Sequence, residues 1–102
     1  MKKPRILLAD DHRMVAEGLR VLLEPDYQLV GIVEDGRALL EAADRLMPDV
    51  VVADVSMPLL NGIEAVRQLK KKNKEVAVVF LTMHLDVAYA ASAFEAGAWA
   101  CL

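Results

Sequence analysis

The chain's first chemical signal is a set of three aspartates: Asp10 and Asp11 directly behind the apolar run Ile6-Leu7-Leu8-Ala9, and Asp54 directly behind Val50-Val51-Val52-Ala53. Carboxylates held at close quarters repel one another, and a hard divalent cation is the usual means of keeping them ionised. Mg²⁺ suits such a set, because it prefers oxygen ligands, keeps several waters and commonly bridges one or two carboxylates to a phosphate oxygen. A single aspartate behind the first run could simply cap the helix that begins near His12-Arg13, and Asp54 alone could simply start a turn. Two adjacent carboxylates, with a third at the end of another run, are better explained by a cation.

The segment after Asp54 is more specific: Val55-Ser56-Met57-Pro58-Leu59-Leu60-Asn61-Gly62. Pro58 stiffens this loop, and Asn61 can cap a helix carrying Ile63, Val66 and Leu69. A hydroxyl, Thr82, stands directly behind another apolar run, Val76 to Leu81.

Ile6–Ala9, Val50–Ala53 and Val76–Leu81 are short, unbroken and rich in β-branched residues, the pattern of strands covered on both faces. Leu29–Val33 contains a glycine and reads as an edge strand. Between the strands the apolar spacing becomes helical: Val15, Leu19, Leu22 and Leu23, then Leu39, Ala42, Ala43 and Leu46, then Ile63, Val66 and Leu69. Ala88 to Ala96 is a fourth helix stopped by Gly97, and Trp99 to Leu102 begin a fifth strand. Strand–helix alternation predicts an α/β fold, a parallel sheet wound on both faces through right-handed crossovers. Ligands in such sheets bind beyond the carboxyl ends of the strands. In the flavodoxin-like order 2-1-3-4-5 the first and third strands are neighbours, and the three carboxylates converge.

With 102 residues the chain is read as one domain, 1–102, holding one site. Its hydrophobic fraction of 56% exceeds the globular average of roughly 45–50%, as elements buried on both sides require. No apolar run reaches the roughly 18 residues of a membrane span, and the apolar stretch behind the basic N-terminus stops at Asp10, so a cytoplasmic location is expected. Cys101 is the only cysteine, which excludes an internal disulfide. A net charge of -3 gives no footprint for direct nucleic-acid binding, and Lys70-Lys71-Lys72 with Lys74 fit the negative end of a helix dipole.

The acidic pair in Leu8-Ala9-Asp10-Asp11-His12, the loop Asp54 to Gly62, Leu81-Thr82-Met83-His84 and Ala96-Gly97-Ala98 together resemble the receiver domains of two-component response regulators. The likeness runs the length of the chain, and its flavour is closest to receivers fused to a LuxR-type helix-turn-helix DNA-binding domain. The resemblance implies the CheY-like version of the flavodoxin-like fold. Asp54 is then the phosphoacceptor, taking its phosphoryl group from a histidine kinase, and the Mg²⁺ ligands are Asp11, Asp54 and the backbone carbonyl of Ser56, with Asp10 acting through water. Thr82 is the hydroxyl that meets the phosphoryl group and moves as the switch. The side chains at Ser56 and His84 fall where the phosphoryl lifetime is tuned, although His84 reads equally well as a surface residue. His12 reads as a solvent-facing helix residue.

Such a domain is a signalling switch rather than an enzyme acting on other molecules, and it controls a transcription domain that these residues do not include. Two departures stand out. The family's lysine falls three residues beyond Cys101, past Leu102, and Cys101 occupies the position of a switch aromatic. The family's last helix also falls past Leu102, so exposed apolar surface is expected.

A haloacid-dehalogenase-type phosphohydrolase needs an aspartate two residues beyond its nucleophile, where Ser56 stands. A nucleotide site needs a glycine-rich loop in place of Asp10-Asp11-His12-Arg13. The stronger alternative is a receiver fold acting independently of phosphate as a homodimerisation or partner-docking module.

Overall fold

The computed structural model describes residues 3–54, 62–73, 75–81 and 100–101. The described elements alternate from β1 to β4: β1 (Arg5–Ala9), α1 (Arg13–Leu23), β2 (Gln28–Val33), α2 (Gly36–Leu46), β3 (Val50–Asp54), α3 (Gly62–Lys72) and β4 (Ala77–Leu81), and β5 (Ala100–Cys101) is the last of them. All five strands are parallel, in the order β2-β1-β3-β4-β5. The glycine-bearing β2 is an edge strand, with β5 at the other edge, and helices lie on both faces as expected. The fourth helix expected over Ala88 to Ala96 lies outside the described residues.

Alternation along the strands divides the core between the two faces of the sheet. Leu7, Ala9, Val51, Ala53, Val78 and Phe80 meet α2 and α3, which contribute Leu39, Ala42 and Ala43 and then Ala65, Val66 and Leu69. Ile6, Leu8 and Val52 point the other way, toward Ala16, Leu19 and Leu23 of α1. The helical spacing of α1 is met only in part. Ala16 is its buried residue, whereas Val15 and Leu22, expected on the inner face, are exposed.

Local chemistry sets where α2 begins and ends. The Asp35 carboxylate accepts the Ala38 N–H at 2.7 Å, a side-chain N-cap. Met47 closes the helix in the left-handed region, at φ 50°, donating its N–H to the Ala43 carbonyl, and Pro48 comes next in the chain. The basic last turn of α3 matches the dipole expectation, and Lys70 donates to the Val76 carbonyl at 2.8 Å.

Gly31 lets α2 lie close on β2: a Cβ there would stand 3.3 Å from the side-chain ends of both Leu46 and Leu7. Gly31→Val adds two further methyls to that contact and is expected to cost about 1–3 kcal/mol through overpacking. A urea midpoint unchanged from wild type would show that the contact yields freely.

Candidate functional site

Strand order creates the site. β1 and β3 pair in register from Ile6↔Val50 to Ala9↔Ala53, so Asp10, one step beyond β1, lies beside Asp54, the last residue of β3. The Asp10 N–H donates to the Val33 carbonyl at 2.9 Å and extends the ladder by one residue past β1. Both carboxylates are therefore carried on sheet backbone and are buried, at 4% exposure for Asp10 and 8% for Asp54. Asp11, on the turn into α1, has a side chain 35% exposed and forms the outer wall.

Ligand atoms of Asp10, Asp11, His12 and Asp54 all lie within 4.8 Å of one another. The three expected carboxylates are thus brought together, and His12 joins them. Its Nδ1 stands 3.0 Å from Asp10 Oδ1, 3.1 Å from Asp11 Oδ1 and 3.5 Å from Asp54 Oδ2. Thr82, Ser56 and His84 lie outside the described residues.

His12 is solvent-facing, as expected, but it precedes the helix and its ring also reaches the carboxylates. It is the N-cap of α1, with an extended backbone at φ −98° and ψ 102°, and its side chain makes no cap hydrogen bond. Its N–H donates at 2.8 Å to Asp10 Oδ1, a two-residue turn that brings the imidazole back over the carboxylates while the ring stays 60% exposed. Sequence did hold a clue, because the residue between an acidic pair and a helix is tethered within two residues of both carboxylates. The same geometry answers the capping alternative: Asp10 closes this turn and is not the N-cap.

The hydrogen bond with Asp10 and the charge of Asp11 raise the His12 pKa above its ordinary 6.5, with smaller contributions from the charges of Asp10 and Asp54 and with desolvation opposing them. A group whose pKa is raised by folding contributes stability that is fully present below its unfolded pKa and is lost as pH rises through the folded value. With divalent cations chelated, the thermal midpoint should therefore fall as pH climbs through and above 6.5. His12→Asn should flatten that fall, and an identical slope in the variant would assign it to other groups.

The donor set fits a hard cation. It offers oxygen donors from separate carboxylates, two of them nearly dry, and no thiolate. Among the described residues no helix is long and apolar enough to cross a membrane.

Comparison with known proteins agrees with this architecture. Residues 6–102 match the family described as response regulator receiver domain. The transcriptional regulatory protein DegU of Brevibacillus brevis is 36% identical over 98 residues, covering 94% of this chain and 42% of DegU. LiaR of Bacillus subtilis is 38% identical over 96 residues, covering 92% of this chain and 46% of LiaR. The chain therefore spans less than half the length of these relatives. Among solved structures, the receiver domain of the NarL response regulator from Mycobacterium tuberculosis superposes with a TM-score of 0.95 at 28% identity, covering all of this chain and 84% of that one. A LuxR-family response regulator from an Aurantimonas species gives 0.92 at 37% identity, covering 98% of this chain and 73% of that one. With the sheet order, the acidic pocket and the match over residues 6–102 in agreement, the chain belongs to the receiver domains of two-component response regulators, the family of phosphorylation-dependent switches.

Proposed function

We propose that residues 1–102 form one receiver domain that accepts a phosphoryl group on Asp54 from a histidine kinase and relays the change to a LuxR-type DNA-binding domain elsewhere in the protein. The observation that carries this reading is the placement of Asp54 at the end of β3, 8% exposed and within 4.8 Å of the Asp10 and Asp11 donors. Asp54 is the nucleophile. One of its oxygens attacks phosphorus as the N–P bond to the kinase histidine breaks, leaving an acyl phosphate on Asp54 and the electron pair on the imidazole.

On the likeness to receiver domains, Asp11 and Asp54, with the Ser56 carbonyl, would hold Mg²⁺, and Asp10 would act through water. The ion, when bound, neutralises charge on the transferring group. Asp10 also fixes the turn at His12, whose N–H it accepts at 2.8 Å. The likeness to receiver domains supports Thr82 as the hydroxyl that meets the phosphoryl oxygens, and Ser56 and His84 as the residues that tune its lifetime. The chemistry is self-directed, ending in loss of the domain's own phosphate, and suits a protein of the cytoplasm.

Intact mass after incubation with acetyl phosphate tests the reading on a chain extended through the lysine position beyond Cys101. One phosphoryl addition that requires Mg²⁺ is expected. No addition at any Mg²⁺ concentration would remove the phospho-switch and leave the docking module.

A further inference from the structure

The Mg²⁺ ligands proposed above are all oxygens, yet the pocket of this chain also holds a nitrogen. His12 Nδ1 stands 3.0 Å from Asp10 Oδ1, 3.1 Å from Asp11 Oδ1 and 3.5 Å from Asp54 Oδ2. Neighbouring ligands of an octahedral ion with bonds of about 2.1 Å lie about 3.0 Å apart, and opposite ones about 4.2 Å. The imidazole nitrogen is therefore spaced from the carboxylate oxygens as one ligand is spaced from the next, and the whole set lies within 4.8 Å. An ion drawing all four side chains in needs only small shifts. The backbone holds the ring in place: Asp10 Oδ1 accepts the His12 N–H at 2.8 Å, and the imidazole is not engaged in capping α1. Nδ1 either donates its proton to Asp10 or, with the proton on Nε2, offers a lone pair to an ion.

We propose that His12 determines which divalent ion the pocket prefers, its Nδ1 being a ligand for borderline transition ions such as Ni²⁺ and of no benefit to Mg²⁺. This rests on the reading of the pocket as a cation site, and goes beyond it by adding a ligand and a second class of ion. Mg²⁺ is hard, keeps its waters and takes oxygen, so it gains nothing by exchanging a water for imidazole. Ni²⁺ stands high in the affinity order for sites of nitrogen and oxygen, and imidazole suits it. The carboxylates of Asp10 and Asp54, 4% and 8% exposed, attract either ion by charge and do little to separate them. The nitrogen makes the distinction. Its ring is 60% exposed, so it lies on the open side of the pocket, where it meets an arriving ion early and has room to turn aside when Mg²⁺ is bound. Occupancy of the phosphoryl-transfer pocket then responds to transition ions as well as to Mg²⁺.

Isothermal titration calorimetry on the 102-residue chain tests this, with Ni²⁺ and Mg²⁺ as separate titrants at one fixed pH in a buffer that binds neither. Wild type should take up Ni²⁺ at least about tenfold more tightly than Mg²⁺. Excess Mg²⁺ should displace that Ni²⁺, which separates the pocket from any binding at His84 or Cys101. His12→Ala should lose at least about tenfold in Ni²⁺ affinity while its Mg²⁺ affinity stays within about threefold of wild type. His12→Asn, whose side chain is a good N-cap, should behave alike. Retained Mg²⁺ binding shows in the same variants that the pocket has kept its shape. Ni²⁺ affinity unchanged by both substitutions would overturn the proposal. Equal loss of both ions in both variants would make His12 a structural residue, and tighter binding of both would make its ring a competitor of the metal; either result overturns it too. A wild type that binds neither ion would bring down the cation reading of the pocket, and this inference with it.

Discussion

Asp54→Asn is expected to take up no phosphoryl group from acetyl phosphate at any Mg²⁺ concentration, read as a complete absence of the added mass. The amide keeps the size and shape of the carboxylate, so β3 and its register with β1 and β4 should survive. On the proposed reading it loses the anionic oxygen that would attack phosphorus and one of the three clustered charges that would draw the cation. Asp10→Asn provides the contrast. Asp10 is 4% exposed and, on the proposed reading, would meet the metal only through water, so its loss should slow uptake by about 10–100-fold while leaving the acceptor in place. A stoichiometric phosphoryl group on the Asp54→Asn chain would move the acceptor elsewhere. Equal and total loss in both variants would point to a collapsed pocket, which circular dichroism and the thermal midpoint would reveal.

Phe80→Ala is expected to be the most damaging single truncation in the core. Phe80 is the largest fully buried side chain among the described residues, at 0% exposure, on the face of β4 that meets the α2 and α3 cluster. Removing a buried phenyl costs about 3–5 kcal/mol, partly transfer and partly the cavity left behind. Domains of this size have about 5–15 kcal/mol in all, so the variant should sit near the edge of folding. At roughly 4–8 °C per kcal/mol the midpoint should drop by tens of degrees. Register links this position to the site: Phe80 pairs with Ala53, and the next pair is Leu81 with Asp54. Cations that stabilise the pocket should therefore recover part of the loss by mass action. A midpoint within a few degrees of wild type would mean that the α2 and α3 layer closes over the cavity.

Much of the fold was legible in one dimension. The runs at Ile6–Ala9, Val50–Ala53 and Val76–Leu81 announce buried parallel strands because a strand covered on both faces has no polar side to alternate with. The intervening 3.6-residue spacing announces the helices, and a glycine in Leu29–Val33 announces the edge. Strand boundaries moved by a residue or two, as hydrogen bonding beyond the apolar run allows, with Arg5 joining β1 and Asp54 closing β3.

On α1, local pattern and packing part company. An apolar residue is equally apolar on the inside or the back of a helix, so Val15 and Leu22 read as core, although Ala16, Leu19 and Leu23 are what the sheet receives. His12 is a similar case. Its type and neighbours allowed a solvent-facing helix position, and the extended backbone that folds the ring onto three carboxylates depends on the Asp10 turn.

The sequence by itself determined the kinds of element, their order, the edge strand and the aspartates at the strand ends, because each of these depends on side chains within a few residues of one another. Tertiary structure alone decided that β1 lies beside β3, which sets Asp10 and Asp11 against Asp54 across 43 to 44 positions of chain. Pairing between strands so distant is settled by the packing of both sheet faces at once. A site built from two strand ends exists only after that choice has been made.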